Sequence, residues 1–282
     1  MKIDYISDTH FDEYLGVGNT SSNDLTKTLS PIFENKGSDV LIIAGDIGEH
    51  NFQNLEALRF LRDEIGYKHI IMVLGNHDWF LSNPIACESY DKLSINRVNE
   101  FKEMIAQEDG LYLLDGDIVK IDDIRFGGTM GWYDGSYMFN NLNHNNEKDR
   151  DYLQRLWAEF YPDKDLIYGC LETYDEFCSA ELEKIEAIYR NCNVMITHIN
   201  PSVKMEHTAK QWQEEDSSAF FSFDGSRFLE STSAKFWLFG HSHDQKEFES
   251  YGVQCLSNPL GSPGDNKNFM LRSFDVNFKN NV

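Results

Sequence analysis

Positive charge is scarce in this chain: 25 Lys and Arg stand against 47 Asp and Glu, a formal net charge of −22. Such a surface repels polyanions, so no extended nucleic-acid footprint is expected. Lys204, Lys210, Lys235 and Lys246 are isolated cations that form no basic stripe, which disfavours a nuclease. Cysteine is sparse too. No pair among Cys87, Cys170, Cys178, Cys192 and Cys255 has the two-residue gap of a metal knuckle or redox motif. Their odd count and scatter suit free thiols in a reducing compartment. No uninterrupted apolar run is long enough to span a bilayer. Met1-Lys2-Ile3-Asp4 opens directly on a strand, without the charged and apolar regions of a signal peptide. A cytoplasmic protein with no membrane partner is expected. Internal repeats, linkers and low-complexity tracts are missing as well.

What is present suffices for a sizeable core: 41% of residues are apolar and 13% aromatic. A chain of 282 residues is read as a single domain, 1–282, a length that α/β folds often use. Lys2 to Ser7, Asp39 to Ala44 and His69 to Leu74 read as buried strands. Phe11 to Ser22, with Gly16 and Gly18, reads as a loop. Asp24 to Lys36 and Phe52 to Ile65 have helical spacing, with Pro31 marking a break or late start in the first. Strand-then-helix units in succession imply a parallel sheet with crossover helices. Asp91 to Gln107 continues as a helix. Leu111 to Leu114, Ile118 to Ile121 and Ile124 to Gly128 read as antiparallel hairpins opening a second sheet. Asn140 to Asn146 reads as a loop, and Lys148 to Trp157 and Thr173 to Arg190 as helices. Val194 to Thr197, Phe236 to Phe239, Val253 to Leu256 and Met270 to Phe274 complete the strands. Lys204 to Phe223 is long and irregular, the mark of a functional or mobile loop. Phe220, Phe221 and Phe223 are read as a lid, a dimer contact or core, with core the first choice.

Polar groups cluster where these strands end. Gly75-Asn76-His77-Asp78 follows the third strand, and Gly and Asn both tolerate the positive φ of a tight turn. Ser7-Asp8-Thr9-His10 follows the first strand and Gly45-Asp46 the second. His198 follows Val194 to Thr197, and Gly240-His241-Ser242-His243 follows Phe236 to Phe239. In open α/β sheets, strand C-termini are where ligands sit. Asp8 and His10 are separated by one residue, as are His241 and His243, so in extended chain each pair shares a face. His69, His144 and His207 are read as ordinary surface or core histidines.

Oxygen and imidazole donors without thiolates favour manganese, iron or zinc, with manganese the first choice. Asp46 is the natural bridge between two ions. Two ions about 3.5–4 Å apart activate a shared water as the nucleophile and clamp a phosphate oxygen. His77 then donates a proton to the leaving oxygen or stabilises it electrostatically.

These blocks, in this order, resemble the calcineurin-like metallophosphoesterases, whose pattern is Asp-x-His, Gly-Asp, Gly-Asn-His-Asp/Glu, a lone His and Gly-His-x-His. The resemblance spans Asp8 to His243. It implies a four-layer α/β/β/α sandwich of two mixed β-sheets flanked by helices. It implies one metal on Asp8, His10, Asp46 and His243, and another on Asp46, Asn76, His198 and His241. It assigns catalysis to His77 and loop support to Asp78.

One departure bears on substrate. The protein phosphatase branch carries Asp-Arg-Gly shortly after its Gly-Asp, but here the stretch is Glu49-His50-Asn51. His50 either faces the substrate or caps a turn. Gly128 to Tyr133 looks like a site-bordering stretch of bacterial and phage-type members, or is a buried aromatic turn. The leading expectation is a phosphoesterase acting on phosphomonoesters, either small phosphorylated molecules or phosphopeptides. A small-nucleotide phosphodiesterase is the alternative enzyme, and a non-catalytic metal-binding scaffold the alternative class.

Overall fold

The computed structural model describes residues 1–142 and 147–276. Its first half alternates strand and helix. β1 (Lys2–Ile6) leads through α1 (Phe11–Leu15) and α2 (Ser22–Ile32) to β2 (Val40–Ala44). From there α3 (Asn51–Asp63) leads to β3 (His69–Val73), and α4 (Pro84–Ser89) and α5 (Ser94–Ile105) lead to β4 (Leu111–Leu113). The hairpin β5 (Asp117–Ile121) and β6 (Ile124–Gly128) follows, then α6 (Ser136–Asn141), α7 (Glu147–Phe160), α8 (Asp163–Leu166) and α9 (Cys178–Ile188). The chain continues through β7 (Val194–Ile196), α10 (Ser226–Ser231), β8 (Phe236–Phe239), β9 (Lys246–Ser250), β10 (Val253–Ser257) and β11 (Arg272–Asp275).

The strands form two mixed sheets, ordered β11-β1-β2-β3-β4 and β5-β6-β7-β8-β10-β9. β1 to β4 run parallel, with β11 antiparallel on the edge. In the second sheet β6, β7, β8 and β10 run parallel, and β5 and β9 are antiparallel edges.

Strand periodicity separates the layers. Ile3, Tyr5, Val40, Ile42, Ile71 and Val73 face the second sheet, where they meet Phe126, Val194, Ile196 and Leu238. The alternate residues Ile6, Leu41, Ile43, Ile70 and Met72 face α2, α3 and α5. On the far side Met195, Trp237 and Cys255 pack under Trp157, Ile185 and Phe228. Both faces of both sheets are covered, so central strands read as unbroken apolar runs. Full burial of a side chain such as Ile42 or Ile71 contributes about 1.5–3 kcal/mol. The result is the expected four-layer α/β/β/α sandwich.

Several expectations need correction. Phe11–Leu15 is a helix rather than loop, since Phe11 and Leu15 are both buried one turn apart. β4 pairs parallel with β3 in the first sheet, so only β5 and β6 make the antiparallel hairpin. α4 and β9 lie where no element was expected, both with few buried side chains to mark them. The Asn140 to Asn146 loop begins inside α6, and residues 143–146, including His144, lie outside the described residues. Lys204 to Phe223 holds three 3-10 turns. Phe220 and Phe223 are core, but Phe221 lines a cleft.

Candidate metal centre

Asp8 and His10 follow β1, Asp46 follows β2, Asn76 follows β3, His198 follows β7, and His241 and His243 follow β8. Parallel strands in both sheets end at the same edge, so five loops meet there. Three backbone links join them. Asp8 Oδ1 accepts the His241 N–H at 2.8 Å, and Asp46 Oδ1 accepts the His77 N–H at 2.9 Å. His198 Nδ1 meets the Ala44 carbonyl at 2.9 Å.

The side chains converge by a route different from the extended pairing expected. Asp8, His10, Asp46, His241 and His243 all have positive φ, between 37° and 73°. This left-handed backbone costs about 1–2 kcal/mol per residue for L side chains. It turns each side chain off the strand direction and into the centre. Gly75 and Asn76, expected to supply positive φ, do not; Asn76 has φ −66°. Gly75 is required by space instead. A Cβ there would collide with the Asp46 carboxylate. Likewise a Cβ at Gly45 would enter the His198 ring, and one at Gly240 would meet Asp8 and Ser7. The glycine before Asp46, Asn76 and His241 thus lets a neighbouring loop's polar group approach.

Two donor groups result. Asp8, His10, Asp46 and His243 bring one donor atom each to within 4.8 Å of one another, as do Asp46, His198 and His241. Asp46 belongs to both. The Asn76 Oδ1 lies 3.1 Å from both His198 Nε2 and His241 Nδ1, so it adds an oxygen to the second group. In the first group, His10 Nε2 faces His243 Nε2 at 3.2 Å and lies 3.8 Å from Asp46 Oδ2. Imidazole nitrogens aimed at one another beside carboxylates are a donor set that a divalent cation unites. The residues therefore fit metal ions with oxygen and nitrogen preference.

The far atoms of these side chains are held as metal-binding histidines require. His243 Nδ1 meets Asp265 Oδ2 at 2.7 Å, and His241 Nε2 meets the Phe220 carbonyl at 2.9 Å. Asn76 donates from Nδ2 to Asp163 Oδ1 at 2.8 Å.

The electrostatics follow from packing acids and imidazoles in a buried place. Burial alone would raise Asp46, but the His198, His77 and His10 rings hold its carboxyl well below the usual range. Burial disfavours charge on His198 too, yet Asp46 beside it raises it to about 9. Burial and the neighbouring His198 push His241 down to about 4, and burial lowers His10. For His77, burial is overcome by the Asp46 and Glu49 carboxylates, which raise it to about 9.

His77 sits at the mouth of the centre, its ring centroid 4.7 Å from that of His10. Its Nδ1 meets Glu49 Oε1 at 3.1 Å. Asp78 belongs to neither donor group. It accepts N–H bonds from Gly75 at 2.7 Å and Ile47 at 3.2 Å, tying the loops after β2 and β3. Burial and nearby Asp46 raise Asp78 to about 6. His50 is the N-cap residue of α3, where its carbonyl accepts from the Asn54 N–H but its side chain makes no capping bond, and it is the preceding Glu49 that meets His77. Trp132 is a buried aromatic. His69 meets the Tyr112 hydroxyl at 3.2 Å, and His207 stacks on Phe248.

Four supporting residues escaped the sequence reading: Glu49, Asp163, Asp265 and Arg97. Buried Arg97 donates to the carbonyls of His77 and Phe80, both at 2.9 Å, and of Gly48 at 2.7 Å. It clamps the loops carrying Asp46 and His77. Its one sequence signal is helical spacing with buried Ser94 and Phe101. Asp265 follows a Gly-Ser-Pro-Gly turn, and Asp163 has no local signal.

A two-sheet sandwich with Asp, Asn and His donors at its strand ends is the frame of a metal-dependent hydrolase. The calcineurin-like phosphoesterase family model matches residues 1–245, and the chain belongs to that family. It is 24% identical to an uncharacterized protein of Acanthamoeba polyphaga mimivirus, over 94% of this chain and 92% of that protein. Among solved structures it is similar in fold to the phosphopantetheinyl hydrolase PptH from Mycobacterium tuberculosis. That match has a TM-score of 0.72 and 17% identity, over 98% of this chain and 96% of the other.

Proposed function

We propose that this protein, acting as one domain in the cytoplasm, hydrolyses phosphate esters, with phosphomonoesters as its main substrates. The observation that carries the reading is the sharing of Asp46 between two donor groups. Asp8, His10, Asp46 and His243 would hold one divalent cation, and Asp46, Asn76, His198 and His241 a second, with manganese the first candidate. Such a pair, when bound, lowers the pKa of a water and neutralises charge on the phosphate.

The chain's own residues supply the rest. Glu49 accepts from His77 Nδ1 and stabilises an imidazolium, whose Nε2 proton can pass to the leaving oxygen. The backbone bond from His77 to Asp46 and the Arg97 clamp fix this ring relative to the donors. Asp78 and the three glycines keep the loops close enough for Asp46 to serve both groups.

A phosphodiesterase for small nucleotides is the second reading. It is favoured by the lack of any Lys or Arg lining the cleft among the described residues, because a diester brings one negative charge rather than two. The test compares 4-nitrophenyl phosphate with bis(4-nitrophenyl) phosphate on manganese-loaded protein, with His77→Asn as control. Monoester turnover lost in the variant supports the main reading. Diester preference shifts it to the second. Two bound metals with no turnover of either ester would favour a non-catalytic scaffold.

A further inference from the structure

The cleft beside the centre encloses about 530 Å³. Among the described residues its rim is acidic and aromatic, with Asp163, Asp244 and Asp265 alongside Tyr161, Trp212 and Phe221. The aromatic wall begins at the donors themselves. The Phe221 ring centroid is 6.1 Å from that of His241, and the Trp212 centroid is 6.0 Å from that of Phe221. Trp212 is 37% exposed at the cleft, so part of its indole is open to a planar or apolar partner.

The three rim carboxylates are not equivalent. Asp163 accepts from Asn76 at 2.8 Å and from the Tyr133 hydroxyl at 2.6 Å. Asp265 holds His243 at 2.7 Å and accepts the Ser262 N–H at 3.0 Å. Asp244 has, among the described residues, only a long bond, 3.4 Å, from Gln211 Nε2 to its Oδ1, and its Oδ2 is a buried atom with no hydrogen-bond partner, so Oδ1 is the atom that a ligand can reach. Lys246 bears on Asp244 electrostatically but does not line the cleft. Asp244 is therefore the carboxylate with bonding capacity to spare.

Such a rim repels any anionic group beyond the phosphate being cleaved. It favours an apolar body on the aromatic wall and a cationic donor on a carboxylate. Given the phosphoesterase reading above, we infer that the cleft selects phosphate esters of apolar, amine-bearing alcohols or phenols. The ammonium lies on Asp244 and the carbon frame on Trp212 and Phe221. Esters carrying further phosphates or carboxylates are rejected.

The test uses three aryl phosphates with similar leaving phenols: those of tyramine, 4-ethylphenol and 3-(4-hydroxyphenyl)propionate. On manganese-loaded protein, kcat/KM should fall in that order, with about tenfold or more between amine and acid. Asp244→Asn should move that ratio toward one. Equal rates for amine and acid, or an unchanged ratio in the variant, would overturn the inference. A second measurement titrates metal-free protein with the free phenols and follows tryptophan emission. Tyramine should change the emission, the acid should not, and the change should vanish in Trp212→Phe. If tyramine binds in this way but no ester is hydrolysed, the selection stands and the phosphoesterase reading falls. If both phenols bind alike, or neither binds, the selection is wrong whatever the esters do.

Discussion

The carboxylate of Asp163 accepts a hydrogen bond from Asn76 Nδ2 at 2.8 Å, and this decides which end of the Asn76 amide faces the donor groups. An ionised carboxylate can only accept, so the amide nitrogen must turn toward it and Oδ1 must turn away. Oδ1 then lies 3.1 Å from both His198 and His241. Asp163 is itself fixed by Tyr133, whose hydroxyl also accepts from Trp157 Nε1 at 2.8 Å. The first residue of α8, far along the chain, thus sets the orientation of a ligand candidate in the turn after β3.

Asp163→Ala should free the Asn76 amide to rotate. The proposed site on Asn76, His198 and His241 should lose affinity by about 10–100-fold, the usual effect of removing a ligand's supporting partner. The site on Asp8 should change less. Asp163→Asn, whose amide oxygen can still accept, should be milder. Two-step manganese calorimetry separates the sites, and equal losses at both would refute the orienting role.

The bridging assignment of Asp46 predicts a different pattern. Asp46→Asn should weaken both metals, whereas Asp8→Asn should weaken mainly one. The same calorimetry reads this, and chelation by EDTA supplies the reference. Equal behaviour of the two variants would count against a shared carboxylate.

Gly75→Ala tests close approach without backbone strain, because Gly75 does not have positive φ. Its Cβ would press on the Asp46 carboxylate. Overpacking of this kind costs about 1–3 kcal/mol. Here it should appear as lost metal affinity at both proposed sites, with a melting temperature lowered by a few degrees. By contrast Gly66→Ala, at φ 88° with no atom near its Cβ, should cost stability and leave metal binding unchanged. Calorimetry on the two variants distinguishes them.

The convergence of the candidate donors was legible because each follows an apolar strand, and a polar group at such a place is costly unless used. Asp8, Asp46, Asn76, His198 and His241 all lie one or two residues beyond a strand end or at the turn that follows it. The sandwich was legible through family resemblance more than through strand patterns. β4 is three residues long, too short to reveal whether it pairs parallel or antiparallel. The left-handed turns at Asp8 and His10 were hidden, because Asp-x-His fits extended chain equally well. Asp163, Arg97 and Asp265 act across 87, 20 and 22 residues from Asn76, His77 and His243. No local pattern marks a partner chosen by tertiary packing.

Away from the centre, Asp115 offers a test of linkage. It accepts from Lys102 and Lys184, both at 2.6 Å, and connects α5 to α9. Burial alone would raise its pKa, but the two ammonium groups hold it below its ordinary value of 3.8. A carboxylate depressed in the folded state stabilises the fold above its unfolded pKa, and the contribution is lost as pH falls through the folded value. Asp115→Asn should therefore cost about 1 kcal/mol at pH 7, a modest figure because the group is partly exposed. The difference should shrink once the pH drops below 3.8. Urea unfolding of wild type and variant at pH 7 and at progressively lower pH measures this. A gap that stays constant or widens on acidification would show that packing, not the charge on Asp115, joins the two helices.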